Sequence, residues 1–285
     1  MSSLHPPTED DAAVVTRLMN EHWPEPLQED VVRSRWSSPT FDLAQDARLE
    51  KGGYAHVADI GGGRAWIDLQ GHPSAQLVDW AEERARAIGA RRLLAGFWLT
   101  NDAVRDQLVS RGYLSARHSQ RMTIELSELT EEPVWPHGIE VHTLKPGEQR
   151  AFYEAHQEAF EDTWEPIRET YDEWSHSLLG TPQFDPDLWF AGRAGSELGG
   201  IAICSLRRGD PDIGLVYILG VRRPWRGIGL GRALLVHSLR AFQRRGLERA
   251  VLGVDSDNPS GAHHLYGSVG MVVTARFEIY EKAAT

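Results

Sequence analysis

Two kinds of apolar spacing alternate along this chain. Short apolar runs bounded by turn residues read as strands, and stretches with apolar residues three and four positions apart read as helices. A helix is predicted over 8–22, opening at Thr8 or Asp10, with Ala13, Val14, Leu18 and Met19 on its apolar face. The stretch that follows, with Trp23-Pro-Glu-Pro and Ser37-Ser-Pro, has no period and is expected to be irregular. Strands are then predicted over 54–60 and 64–69, around a Gly61-Gly-Gly hairpin turn. A helix over 75–88, a strand over 92–99, a helix over 102–111 and a strand over 119–126 complete the first half. The second half predicts a strand over 139–144, helices over 147–160 and 166–178, and strands over 188–192, 198–206 and 213–221. A helix then runs to Arg245, a strand over 250–254, a helix to Ser268 and a closing strand over 272–280. Asn258 is the expected N-cap of that last helix, with Pro259 at its first position.

The most informative run is Val216-Tyr-Ile-Leu-Gly-Val221, Arg-Arg-Pro-Trp, then Arg226-Gly-Ile-Gly-Leu-Gly-Arg232. It reads as strand, glycine-rich turn, helix, with Leu230 and Leu234, then Leu235 and Leu239, at helical spacing. Gly227, Gly229 and Gly231 let the backbone approach a ligand and tolerate positive φ. N–H groups at the following helix start favour an anion. Arg226 and Arg232 are expected to add mobile positive charge. The segment therefore reads as a pyrophosphate cradle. Its spacing is neither the Gly-x-Gly-x-x-Gly of a dinucleotide fold nor a P-loop, which would end in Gly-Lys-Ser/Thr.

The chain also repeats itself. Gly89, Gly96 and Asn101 stand seven and five residues apart, as do Gly246, Gly253 and Asn258. Both sets sit in helix–Gly–strand–Asn–helix, which suggests a duplicated domain. The counterpart of the cradle is then Leu69-Gln-Gly-His-Pro-Ser-Ala75, which has lost both arginines and two of three glycines. Leu108 takes the place of Tyr266. The polar stretch Glu131-Glu-Pro-Val-Trp-Pro-His-Gly marks the expected boundary, giving domains 1–130 and 131–285, the first without a cofactor.

Composition narrows the class. The 285 residues suffice for two domains, and a net charge of −11 argues against a nucleic-acid surface. No apolar run approaches membrane length and no signal-peptide core is evident, so a soluble cytoplasmic chain is expected. The lone Cys204 lies in an apolar run and is expected to be buried. No histidine or cysteine cluster has metal spacing, so no metal is expected; His263 and His264 are adjacent and expected to point apart.

Together, the cradle, the Gly-Val before it and the Ala-Leu-Leu after it resemble the acetyl-CoA signature of the GNAT acyltransferase superfamily. The element order over 139–281 resembles a complete GNAT domain, and the whole chain a tandem of two, the first degenerate. The expected fold is accordingly α/β with a mixed sheet. Val-Tyr-Ile-Leu-Gly-Val, the cradle and Asp-Ser-Asp-Asn are also similar to the active half of the mycothiol synthase family. That family has a glutamate before the Val-Tyr pair, where this chain has Leu215.

The resemblance implies an acetyl-CoA-dependent N-acetyltransferase acting on a primary amine of a small molecule by direct attack in a ternary complex. The alternatives are mycothiol synthase itself or a non-catalytic acyl-CoA-binding protein. Acetyl-CoA would be held by Leu219, Gly220, Val221, Arg226, Gly227, Ile228, Gly229, Leu230, Gly231, Arg232 and Asn258. Tyr266, in Leu265-Tyr-Gly-Ser-Val-Gly270, would be the general acid. Glu161 and Glu165 are expected to meet the amine, from an acidic stretch (Glu158 to Glu173) facing Arg168 alone, if one helix carries both.

Overall fold

The architecture comes from a computed structural model that describes residues 4–38, 40–162, 169–181, 183–207, 210–256 and 261–284. The chain opens with α1 (Ala12–Asn20), α2 (Glu29–Trp36), α3 (Leu43–Asp46), β1 (Ala47–Glu50), β2 (Gly53–Asp59) and β3 (Arg64–Gly71). Then come α4 (Ala75–Ala87), β4 (Arg92–Trp98), α5 (Asp102–Ser110) and β5 (Leu114–Glu125). After them follow β6 (Glu140–Thr143), α6 (Gln149–Ala159), α7 (Tyr171–Leu179), β7 (Trp189–Ala194), β8 (Glu197–Arg207) and β9 (Asp210–Val221). The last elements are α8 (Leu230–Arg244), β10 (Arg249–Asp255), α9 (Ala262–Ser268) and β11 (Val272–Ala283).

Two compact units result. The first runs to Gln120 and takes back the end of β10 and the chain from Thr274. Its strands lie in the order β1-β2-β3-β4-β11. The β3–β4 pair is parallel and the others antiparallel. The stretch expected to be irregular holds α2, α3 and β1. Within it Val32 and Trp36 are buried, and the Trp36 indole N–H donates to the Tyr54 hydroxyl at 3.0 Å. Two buried aromatic or branched side chains four apart anchor a helix too short to show a period.

The last strand departs from expectation. From Thr274 it belongs to the first unit, where Phe277 to Ala283 pair with β4, Phe277 opposite Trp98 and Tyr280 opposite Ala95, rather than closing the second sheet. Side chains explain the pairing. The Phe277 ring packs edge-on to Trp98 at 5.1 Å, and Tyr280 to Phe97 at 5.2 Å. Gly96 leaves the room: a Cβ there would lie 2.3 Å from the Phe277 ring. The strand also covers the open edge of β4, whose backbone groups would otherwise lack partners.

The second unit begins at Arg121, inside β5, ahead of the proline-bearing boundary expected at 131. The intervening segment is docked, which is why the division falls earlier. Leu126 and Leu129 are buried in the second unit's core, and the Arg240 guanidinium donates to the carbonyls of Leu129, Thr130 and Glu131. Strands follow in the order β10-β9-β8-β7-β6. β6 to β9 are antiparallel, and β10 joins β9 in parallel after α8 has crossed between them. One face of the sheet packs on α8 and α9 through Leu234, Leu235, Leu239 and Phe242; the other packs on α6 and α7 through Phe152, Trp174, Trp189 and Ile218.

Candidate functional site

Strand β9 breaks its ladders on both sides. Against β8, Ile203 pairs with Ile218 and Cys204 with Val216, so Tyr217 is the extra residue of a β-bulge and stands 61% exposed. Against β10, pairing runs from Ile213 with Arg249 to Leu215 with Val251. Among the described residues it goes no further, although β9 continues to Val221 and β10 to Asp255. The two parallel strands therefore part at Leu215, and the backbone of 216–221 has no strand partner on that side among the described residues. Leu219 and Val221 lie in this free segment, half-buried on the α8 face of the sheet. Gly220 points the other way, where a Cβ would meet Ala159 Cβ at 2.9 Å. The end of α6 can therefore sit directly on the strand.

The free segment leads straight to the cradle. Gly227 (φ +79°) and Gly229 (φ +91°) are left-handed, a conformation that costs a side-chain-bearing residue about 1–2 kcal/mol. Gly231 differs: it is helical, in the first turn of α8, and a Cβ there would meet Val221 at an ordinary 3.4 Å. Among the described residues no side chain caps α8, whose N-cap is Gly229. Ala233 is the first residue whose N–H reaches back into the turn, to Gly229 O at 3.0 Å. The N–H groups of Leu230, Gly231 and Arg232 precede any carbonyl four residues back within the helix, and are open to an anion. Ile228 is half exposed at the rim.

The arginines are not the mobile charges expected. Arg226 is fixed at three points: it donates to Val221 O at 3.1 Å and Ala159 O at 3.1 Å, and pairs with Asp162 at 3.1 Å. Arg232 pairs with Glu131 and donates to Ser268 O at 3.1 Å. Their work in this state is to clamp the loop to the end of α6 and to α9. The acidic stretch is answered by the same loop: Glu158 pairs with Arg222 at 2.6 Å and Asp162 with Arg223 at 2.6 Å. Hydrogen bonds from Arg223 and then Arg226 hold the Asp162 carboxyl below its usual range. Glu161 is exposed, 4.0 Å from Arg223. The helix expected to carry Glu161 and Glu165 on one face ends at Ala159, so the i, i+4 argument fails; Glu165 itself lies outside the described residues.

Tyr266 sits in α9 and is 8% exposed, in one apolar cluster with Val216, Leu219, Val254 and Leu265. Burial pushes its hydroxyl up to about 12, so it is a protonated donor at neutral pH. The described helix starts at Ala262 after a left-handed Gly261; Asn258 and Pro259, the expected cap and first position, lie outside the described residues. His263 and His264 face each other, ring centroids 3.9 Å apart, because the first turn of a helix leaves side chains unconstrained by a preceding turn. Cys204 is fully buried and its thiol pushed up to about 12 by that burial, which makes it a core residue and no nucleophile.

Residues 150–271, the cradle included, match the acetyltransferase (GNAT) family. A mycothiol acetyltransferase of Thermobispora bispora is 32% identical over 224 residues, 73% of this chain and 75% of the relative. The chain belongs to the GNAT acetyltransferase family. It is an acyltransferase, and GNAT acetyltransferases use acetyl-CoA as co-substrate. A GCN5-related N-acetyltransferase from Sphaerobacter thermophilus superposes with a TM-score of 0.81 at 27% identity, covering 99% of this chain and 96% of that one. A tandem GNAT protein from the clavulanic acid biosynthesis pathway gives 0.76 at 18% identity over 100% and 99%, a likeness of fold. The fold is thus a tandem GNAT fold with a mixed sheet. Among the described residues no helix is long and apolar enough to cross a membrane.

The first GNAT-like unit treats the corresponding helix start differently. Ser74 caps α4, its hydroxyl accepting the Leu77 N–H at 3.2 Å. The buried Glu50 carboxylate in turn accepts Ser74 N–H at 2.7 Å and Ser74 Oγ–H at 2.8 Å. A carboxylate from the protein thus occupies the helix terminus that the second unit leaves open. Leu108, the counterpart of Tyr266, is fully buried in the apolar core.

Proposed function

We propose that the second unit transfers the acetyl group of acetyl-CoA to a primary amine of a small molecule, by direct attack in a ternary complex. The observation that carries this reading is the parting of β9 from β10 at Leu215, immediately before an uncapped helix start with two left-handed glycines. The free edge of β9 takes the pantetheine arm, and the N–H groups at Leu230, Gly231 and Arg232 take the pyrophosphate. Gly227 and Gly229 let that backbone turn, while Arg226 and Arg232 hold the loop in place. A backbone N–H near Leu219 polarises the thioester carbonyl. The amine then forms the C–N bond and loses a proton to solvent base. As the intermediate collapses the C–S bond breaks, and Tyr266 protonates the departing thiolate. Most of the acceleration comes from holding the two reactants together.

Glu161 and Glu165 remain the proposed contacts of a cationic amine, the first weakened by its arginine neighbour. A second reading makes the acceptor that of the mycothiol acetyltransferases, as the relatives' names suggest. Leu215 speaks against it, because an apolar side chain stands at the mouth of the parted strands where that family has a glutamate.

The test is Tyr266→Phe, assayed by thiol release from acetyl-CoA across a panel of primary amines. The ring and its packing survive, so stability and acetyl-CoA affinity should hold while kcat falls by roughly 10²–10⁴-fold. With the hydroxyl pKa near 12, the wild-type enzyme should lose no rate through this group up to about pH 10. Wild-type kcat in the Phe variant, with chemistry shown to be rate-limiting, would remove Tyr266 from the mechanism.

A further inference from the structure

We propose that Glu21, His22 and His72, all in the first unit, form a binding site for a zinc-class divalent transition ion. The three side chains are remote in sequence, and the fold places one ligand atom of each within 4.8 Å of the other two. The two imidazoles meet edge to face, ring centroids 6.0 Å apart. His22 Nε2 is buried and has no hydrogen-bond partner among the described residues, an expensive state for a polar atom that a metal bond would relieve.

The backbone brings these groups together for identifiable reasons. Glu21 is the C-cap of α1 and His22 follows it, with its N–H donating to Met19 O at 3.2 Å and its carbonyl accepting Thr100 Oγ1–H at 3.1 Å. His72 follows β3, its N–H donating to Gly52 O at 2.7 Å. Gly71 permits the approach. It is left-handed (φ +68°), and a Cβ there would lie 2.5 Å from Gly52 O and 3.0 Å from a Leu18 methyl of α1. The turn between β1 and β2 and the helix would both have to give way for any larger residue. Pro73 then fixes the next turn. The C-terminal end of α1 adds a negative potential that favours a cation.

Donor chemistry selects the ion. Two imidazole nitrogens and one carboxylate suit zinc and its neighbours rather than magnesium or calcium, which prefer oxygen cages. Zinc bonds of about 2.0–2.1 Å put tetrahedral donors roughly 3.3 Å apart. His72 and Glu21 are exposed and can close the remaining distance by rotation about their side-chain bonds, with His22 as the partly buried anchor. Water completes the fourth position. The site lies at the turn between β3 and α4, the place the cradle holds in the second unit, so an ion here would clasp α1 to that turn.

The experiment uses the full, untagged chain after chelator treatment, titrated calorimetrically with zinc chloride and spectroscopically with cobalt(II). One ion per chain, visible bands of tetrahedral cobalt, and a zinc-dependent rise in the thermal unfolding midpoint are expected. His72→Ala and Glu21→Gln change exposed side chains and should fold. Losing a ligand should weaken zinc by more than the roughly 10–100-fold that follows loss of an outer partner. His263→Ala with His264→Ala should leave zinc affinity unchanged, as should acetyl-CoA affinity in every variant. Zinc binding that survives His72→Ala undiminished, an octahedral cobalt spectrum, or no binding below millimolar zinc would each overturn the proposal.

Discussion

Gly229 offers a way to separate backbone strain from ligand repulsion. Its φ of +91° makes any replacement cost about 1–2 kcal/mol in the folded state, yet a Cβ there meets nothing within 4 Å. Gly246, which follows α8, has the same character: φ +78° and nothing within 4 Å of a Cβ. Gly229→Ala and Gly246→Ala should therefore lower the unfolding free energy by similar amounts. Binding should distinguish them. Gly229 is the N-cap beside the open N–H groups of α8, so a side chain there stands next to them, whereas Gly246 lies past the far end of the helix. Gly229→Asp sharpens the contrast. A carboxylate about 4 Å from one pyrophosphate charge, at an effective dielectric near 20, adds about 4 kcal/mol, or roughly a thousandfold in Kd. Isothermal calorimetry with acetyl-CoA gives affinity and stoichiometry together. We expect one site per chain, unchanged in Gly246→Ala, weakened in Gly229→Ala and lost in Gly229→Asp. Undiminished binding to Gly229→Asp, or two equal sites in the wild type, would refute the assignment of the cradle.

Three further outcomes follow from the packing. His156 is 2% exposed, and burial lowers its pKa to about 4 from 6.5. It is neutral when folded, so its contribution is full above pH 6.5 and is lost as pH falls towards 4. The loss reaches about 3 kcal/mol. Urea unfolding between pH 7 and 4.5 should show the decline, and His156→Gln, which can still accept the Trp174 indole N–H, should flatten it. Phe277→Ala should destabilise the first unit by about 2–3 kcal/mol, below the range for fully buried aromatics because the ring is half-buried; acetyl-CoA affinity is the control and should not change. Glu50→Ala strips Ser74 of both acceptors and should cost about 1–3 kcal/mol by thermal unfolding, with no second acetyl-CoA site appearing in calorimetry.

Elements with a long period or a clear turn signal were legible in the sequence. The strand at Val216–Val221, the helix from Leu230 and the glycine turn between them lie where the apolar pattern puts them. What was not legible depends on partners remote in the chain. Nothing near Phe277 announces that Gly96 and Trp98 will receive it, so the local pattern does not encode the destination of the last strand. The acidic stretch from Glu158 has only Arg168 beside it in sequence, because Arg222, Arg223 and Arg226 stand some sixty residues away. Glu21, His22 and His72 likewise show no ligand spacing until α1 and the turn after β3 are packed together. The bulge at Tyr217 has no composition signal of its own, since Tyr and Ile suit a strand on either side of it.

The repeat argues most directly that chemistry here is set by a few atoms on a shared scaffold. Asn101 caps α5 in the first unit, with its side chain accepting the Val104 N–H at 3.1 Å, so the frame of helix, strand and capped helix is intact there. At the start of α4 three changes act together. Pro73 supplies no N–H, Ser74 uses its hydroxyl to cap the helix, and Glu50 brings a negative charge to the same point. Removing the charge alone leaves the missing donor and the cap in place, so an anion gains little from Glu50→Ala. At the start of α8 the same position has a left-handed glycine, no cap and a parted strand beside it. The difference is one of unsatisfied N–H groups. In the first unit side chains of the protein take the Ser74 and Leu77 N–H groups, and in the second the start of α8 has no side-chain cap among the described residues, as the proposed anion site requires.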